Sequence, residues 1–551
     1  MCAITRPEFV SVAGPVPSPR RGLISRSALV VLGCLWSATP ALAQYFRTSA
    51  FASATETYTT NVDFFDSSVQ GQSTGDFVTA LSAGINVRWN SPNFRLGGSL
   101  GATWLIYAKD SSRNSFVVTP GADVNLSGTL ELVKNHVFVD VGARLTPEFL
   151  SPFGPQPDSF VNSTENRSIS QTYWVNPRVQ GVIGSTGISY NVRIQNIWEV
   201  SSAYGNSSNN VPATYVSTLN ASLTGARPCA STLEYDVTLY ESGGRAGGTD
   251  SQTFRCVVPY QVTPQLEVSG RIGYDRYSQD ETTDNAGRVL GGTSEGVVYG
   301  AGFQWNPTLR TRMAGFWEHR FFGSSYSWQF SHRMPNAAFR ASFTRGLSSY
   351  PELALLIPAN TTVSQFLNAA FTTRIPDPTE REKAVEEFLA RTGLPPTLAS
   401  PVNFYADTLL LQNAMTASLV LIGVRNTLTF TVFRVDSQNV SSSGAVLPPA
   451  LQFGENNTQT GVRVNYARPL GWQTNLNAYA GYSRTVSNTT ETATSDLQSD
   501  NVNAGVRLGR PLGPRTNTSF GLSYSRFDPS GRDTRAATSA TNVYATISHT
   551  F

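Results

Sequence analysis

The sequence predicts an all-β chain: a transmembrane, antiparallel, up-and-down β-barrel of about 22 strands. Three observations predict it. Apolar and polar side chains alternate along most of the 551 residues. The links between the alternating runs are short and long by turns. The last ten residues, NVYATISHTF, form one more alternating strand that stops on Phe551.

At the front, Arg20, Arg21 and Arg26 precede the apolar run ALVVLGCLW, and Ala41-Leu42-Ala43 stands before Gln44. A charged region, an apolar region and a small-residue site read as a secretory signal over 1–43, cut after Ala43. VLGC at Val31–Cys34 loosely matches a lipoprotein box and PRRGLI a twin-arginine signal, but the A-x-A site is the cleaner match. The mature chain, 44–551, is expected outside the cytoplasm.

Composition narrows the class. Hydrophobic residues make up 40% of the chain, yet mean hydropathy is below zero and no apolar run of roughly 18 residues follows the signal. Charged residues are 14%, with a formal balance of +3, too weak for a nucleic-acid partner. The 11% of aromatics and 45 glycines suit strands that face lipid at every second residue.

The alternation is explicit in several runs. VFVDVGARL sets Val137, Val139, Val141, Ala143 and Leu145 on one face; LEVSGRIGY sets Leu266, Val268, Ile272 and Tyr274 opposite Glu267, Ser269 and Arg271. VNAGVRL places Val502, Val506 and Leu508 against Asn503 and Arg507. A soluble sandwich shares this pattern, so link lengths decide. Short turns fall at 91–93, 134–135, 263–264, 306–307, 335–336, 425–426 and 513–515. Longer stretches lie at 59–75, 148–167, 200–210, 279–293, 348–407, 439–456, 486–497 and 529–537. Short turns on one side and long loops on the other describe an outer-membrane barrel, with both chain ends on the short-turn side.

The terminal strand is expected to close the barrel against a first strand near 51–60, leaving no free edge. Outer-membrane barrels resemble one another in ending on an aromatic preceded by alternate apolar residues, which the barrel-assembly machinery reads. Val543, Ala545, Ile547 and Phe551 match, with Ile547 and Phe551 the candidate assembly signal; His549 departs.

Four pieces carry a closer likeness: ETYTTNVDFF, DFVTALSAGINVRW, YQVTPQLEVSGRIGYD, and DPTEREKAVEEFLARTGLPPTL with the following TLLLQNAMTASLVLIGVRNTLTFTVFR. The mature chain resembles the outer-membrane proteins associated with PEP-CTERM/exosortase systems, whose genes accompany exopolysaccharide biosynthesis. The resemblance implies a setting in the Gram-negative envelope, not a reaction.

The insertion at 348–407 breaks the strand pattern. Val363, Phe366, Leu367, Ala370 and Phe371 recur at helical spacing behind Thr362 and Gln365, a capping box. Asp377, Pro378 and Glu380 start a second helix with the stripe Ala384, Val385, Phe388 and Leu389, ended by Gly393, Pro395 and Pro396. By strand parity the loop is extracellular and is expected as a helical cap above the mouth. The alternative is a plug folded into the lumen. The candidate gate residues are Phe366, Leu367, Phe371, Val385, Phe388 and Leu389.

The polar faces supply candidate lumen-lining charges: Arg95, Asp140, Arg144, Arg193, Glu267, Arg271, Asp275, Arg312, Glu318, Arg320, Arg340, Arg463 and Arg507. They read either as ladders that keep a wide barrel rigid and wet, or as a solute path that favours anions.

Catalytic signals are weak. His136, His319, His332 and His549 show no metal-ligand spacing, and no nucleophile elbow, HExxH or haem motif occurs. Neither an enzyme nor a cofactor is expected. A transporter driven from the inner membrane carries a large N-terminal plug, whereas here strands begin soon after Gln44. A hairpin about Gly247 would set Cys256 opposite Thr238, too far from Cys229 for a disulfide. The expected partners are outer-membrane lipid, the assembly machinery, and exopolysaccharide or its export components. The function expected is a pore; the alternative is a non-conducting barrel that displays its loops to polymer.

Overall fold

The computed structural model describes residues 46–64, 75–119, 121–203, 212–225, 231–243, 248–283, 289–353, 409–440, 456–471, 473–488, 497–531 and 535–551, and scattered positions within 367–402. The expected signal, 1–43, lies outside the described residues. Packing separates Met1–Arg47 from Thr48–Phe551, and the second unit carries the barrel.

The strands in chain order are β1 (Phe46–Thr59), β2 (Asp76–Asn90), β3 (Phe94–Tyr107), β4 (Ser115–Val117), β5 (Val124–Val133) and β6 (Val137–Phe149). Next come β7 (Arg167–Val182), β8 (Ser189–Ala203), β9 (Thr214–Thr224), β10 (Thr232–Ser242), β11 (Gly248–Thr263) and β12 (Leu266–Thr283). Then follow β13 (Val289–Thr308), β14 (Thr311–Arg320), β15 (Gly323–Met334), β16 (Ala337–Ser348), β17 (Leu410–Ile422) and β18 (Thr427–Asn439). The last are β19 (Asn457–Leu470), β20 (Thr474–Ser487), β21 (Leu497–Pro511), β22 (Thr516–Gly531) and β23 (Thr538–Thr550). β4 is a three-residue strip paired only with β3. The other 22 strands pair antiparallel with their neighbours, and β1 with β23 closes the ring.

Closure joins the last strand to the first, as expected. Phe51 stands opposite Thr550 and Thr59 opposite Asn542, and the Phe551 amide donates to Ala50 O at 2.8 Å. β1 starts earlier than expected, at Phe46. His549 is explained locally: its Nδ1 lies 2.8 Å from Thr516 Oγ1 and its ring packs edge-on to Phe551 with centroids 4.7 Å apart. Deleting Phe551 removes that outward ring, 64% exposed, beside Ile547, 48% exposed. The deletion will lower the amount of heat-modifiable barrel at constant expression; unchanged levels would count against an assembly role.

Period-two patterning sets the faces. Phe77, Leu81, Ile272, Val297, Val506 and Ile547 are exposed on the outside, while Asp275, Glu318 and Asn542 are buried on the inside. Exposed aromatics cluster toward both ends of the outer surface: Tyr260, Trp305 and Phe551 near the short turns, Tyr58, Phe77, Trp104 and Trp317 toward the loops. Such a surface, apolar out and charged in, is stable in lipid.

Two expectations need correction. Glu241 pairs with Gly248, so the β10–β11 hairpin does not fold about Gly247, and Cys256 stands opposite Leu233, not Thr238. Cys256 is free, and Cys229 lies outside the described residues. The long-loop side is also less uniform than expected, because β14 and β15 are joined there through Phe321 and Phe322 alone.

Candidate functional site

The candidate site is the lumen and two segments folded into it. The first, 150–166, joins β6 to β7 and was expected as an outer loop. It turns inward because its polar groups find partners on other walls. Asn162 Nδ2 donates to Thr59 Oγ1 at 2.9 Å and to Asn61 O at 2.8 Å, and Asn542 Nδ2 donates to Asn162 Oδ1 at 3.0 Å. Farther round, the Gln156 amide donates to Asn501 Oδ1, the Asp158 amide to Ser525 Oγ, and Ser499 Oγ to Pro152 O, each at 3.2 Å. Val161 is buried with Val62, Val78, Leu105, Tyr107 and Val117, an apolar cluster inside the ring. Arg167, itself buried, gathers the segment: Nη2 donates to Pro157 O at 2.6 Å, Nη1 to Ser159 O at 3.1 Å, and the guanidinium lies 5.2 Å from the Phe149 ring centroid.

The second segment is the insertion between β16 and β17. Its entry is a capping box absent from the sequence reading: the Ser349 amide donates to Glu352 Oε2 at 3.1 Å, and the Leu353 amide donates to Ser349 O at 3.1 Å. The second helix starts as expected, since the Glu380 amide donates to Asp377 Oδ1 at 2.8 Å. Arg381 ties the two helical stretches, donating through Nε to Asn368 Oδ1 at 2.6 Å and through Nη1 to Ile375 O at 3.1 Å.

The insertion is not a cap above the mouth. Leu367 (0% exposed) and Val385 (3%), with Phe371 against them, pack on Ala338, Val420, Ile422 and Ala467. Ala338 and Ile422 sit at the short-turn ends of β16 and β17. The chain enters at the opposite end, so the insertion descends ten strand positions, roughly 33 Å at about 3.3 Å per residue. The described residues of the insertion thus lie inside the ring, as in the plug alternative, where Leu367 and Val385 bury against an apolar floor near the short turns. On its way back, Val402 exchanges two bonds with the Gln459 amide, at 2.9 and 3.0 Å. Leu409 then joins Ile197, Val216, Tyr240 and Tyr277 in a second inner cluster. Tyr350 is buried with its phenol directed at Glu199, and burial holds that phenol well above its ordinary pKa. Phe366, Phe388 and Leu389 lie outside the described residues.

All thirteen candidate charges fall on the inner row. The structure joins a subset into a belt across β10–β14. Arg271 Nη1 meets Glu318 Oε1 at 2.6 Å, and Arg320 Nε meets Asp275 Oδ2 at 3.0 Å. Arg255 Nη1 meets Glu318 Oε2 at 3.3 Å, and its Nη2 meets Asp236 Oδ2 at 2.5 Å. Arg463 Nη2 reaches Asp158 of the inward loop at 4.0 Å. Arg255, the hub of the belt, was absent from the sequence reading, although Phe254, Cys256, Val258 and Tyr260 alternate around it and mark it as inward. Arg144 stands on the inner row of β6 opposite Thr172, and Glu267, Arg340 and Arg507 stand on the inner rows of β12, β16 and β21. His319 stacks on Tyr299 on the outer face, centroids 5.1 Å apart, away from the lumen. Among the described residues no group of His, Cys, Asp and Glu could hold a metal ion.

No protein-family model and no curated protein matches the chain. Similar solved structures include OccK3 (OpdO) of Pseudomonas aeruginosa, at 11% identity and a TM-score of 0.34, over 92% of this chain and 95% of that one. The FrpB iron transporter of Neisseria meningitidis is similar at 10% identity and a TM-score of 0.45, over 93% and 83%. The barrel itself is established by the hydrogen-bonded closure of β1 on β23.

Proposed function

We propose that the chain is an outer-membrane pore held narrow by its own insertion, serving the export of exopolysaccharide in a PEP-CTERM/exosortase setting. One observation carries the pore reading. Leu367 and Val385 are buried against the far end of a charged inner wall, inside a ring whose outside is apolar. Side chains that fill a lumen this way obstruct a path without being needed to close the strand ladder, which is the arrangement of a gate. The even strand number, the closed ladder and the two zones of outward aromatics support an outer-membrane location. The motif resemblance supports the polymer setting. Deleting the gene in the bacterium that carries it should cut extracellular polymer severalfold and leave polymer in the periplasm, with recovery on complementation. Unchanged extracellular polymer would overturn the export role.

A further inference from the structure

Near the short-turn end, the inner wall from β2 to β8 holds a cavity of about 550 Å³. Two cross-strand rows build it. One runs Arg95, Thr129, Asp140, Asn176; the next runs Arg88, Gly97, Ser127, Gly142, Trp174. Gly142 is required here: a Cβ at that position would meet the Trp174 indole at 1.9 Å, so the ring lies across the glycine and lines the cavity.

Charge on this wall is out of balance. Arg178 and Arg193 stand directly opposite each other on β7 and β8, an unfavourable like-charge pair. Arg178 is relieved by Asp140, Nε to Oδ2 at 3.4 Å, and by the Phe138 ring 4.2 Å away. Asp140 also accepts from Thr129 Oγ1 at 2.7 Å. The nearby Glu131 accepts from the Asn135 amide in the turn. Arg193 keeps neither relief; its Nε is buried without a hydrogen-bond partner among the described residues. Arg88 and Arg95 border the same cavity and take part in none of the ion pairs found among the described residues. The guanidinium groups of Arg88, Arg95 and Arg193 therefore border one cavity with the half-buried Trp174 ring.

Guanidinium forks match carboxylates in plane and bidentately, and an indole face takes the apolar face of a ring. We propose that this cavity is a binding subsite for a carboxylated pyranose, one acid-sugar unit of an anionic polysaccharide. The proposal rests on the pore reading for its biological sense, but its test does not use conductance. A cavity of this size lies within the usual range for small-ligand sites, about 300–1,000 Å³.

Calorimetry on the folded barrel in detergent, with a galacturonate hexamer as probe, tests it. Maltohexaose, inorganic phosphate and benzoate are the comparison ligands. The hexamer should bind, maltohexaose should not, and phosphate and benzoate should bind more weakly than the hexamer. R193Q and R88Q should each weaken the hexamer by about tenfold or more, and W174L should weaken the hexamer while leaving phosphate unchanged. Heat-modifiability checks that each variant is folded, and R88Q, at a lumen-exposed position, serves if R193Q fails to fold. Absent hexamer binding, equal binding of maltohexaose, benzoate binding as tight as the hexamer, or a hexamer affinity indifferent to W174L and both arginine variants would overturn the subsite. Hexamer binding to a barrel that does not conduct would keep the subsite and remove the pore reading.

Discussion

Replacing 360–398 with a short Gly/Ser linker will leave a folded barrel that admits bulky solutes the wild type excludes. The strand ladder does not pass through the insertion, and loop-closure cost grows slowly with length, so folding should survive. What is lost is the packing of Leu367 and Val385 on the lower wall. Burial of each such side chain contributes about 1.5–3 kcal/mol, which is why the plug stays docked and why its absence should be felt. Cells carrying the shortened barrel should become severalfold more sensitive to large hydrophilic antibiotics, and liposomes carrying it should swell faster in large sugars. Equal permeability from an equally abundant, folded barrel would make the insertion a passive filling.

Arg167→Ala will release the 150–166 segment from the lumen wall. The guanidinium supplies the donors for Pro157 O and Ser159 O, in a site where Arg167 and its surroundings are buried. A charged donor at a buried carbonyl is worth about 1.5–3 kcal/mol, and a carbonyl left without one costs a similar amount. The segment should lose about 3–5 kcal/mol of local stability while the strands keep theirs. Hydrogen exchange should rise steeply across 150–166 and change little in β6 and β7; unchanged exchange in the segment would show that Arg167 is not its anchor.

The barrel was legible because its signal is dense. Every strand repeats the period of two, and link length reports on which side each strand ends, so strand number, the closing pair and the inner charges could be read without long-range information. The direction a loop takes has no such signal. Val161 and Val62 stand in short, mostly polar stretches without a strand or helix period, and only the folded ring shows them meeting Leu105 and Val117 inside. Helical spacing in the insertion was visible, and Leu367 and Val385 belong to its apolar stripes, but parity gives only the side from which a loop departs. The descent to Ala338 and Ile422 depends on the apolar floor near the short turns, which lies far from the insertion along each strand. Trp174 shows the limit most plainly: in sequence it is an aromatic in a strand, suited to lipid, and its inward position depends on Gly142 across the ladder making room.

Single-channel recording of the purified, folded protein in planar bilayers tests most directly whether this is a pore narrowed from within. The expected result is small discrete steps with a reversal potential favouring anions, as the inner arginines require, and steps severalfold larger once 360–398 is replaced. Membranes that stay silent with both folded proteins would contradict it and leave a sealed barrel whose loops are its working surface.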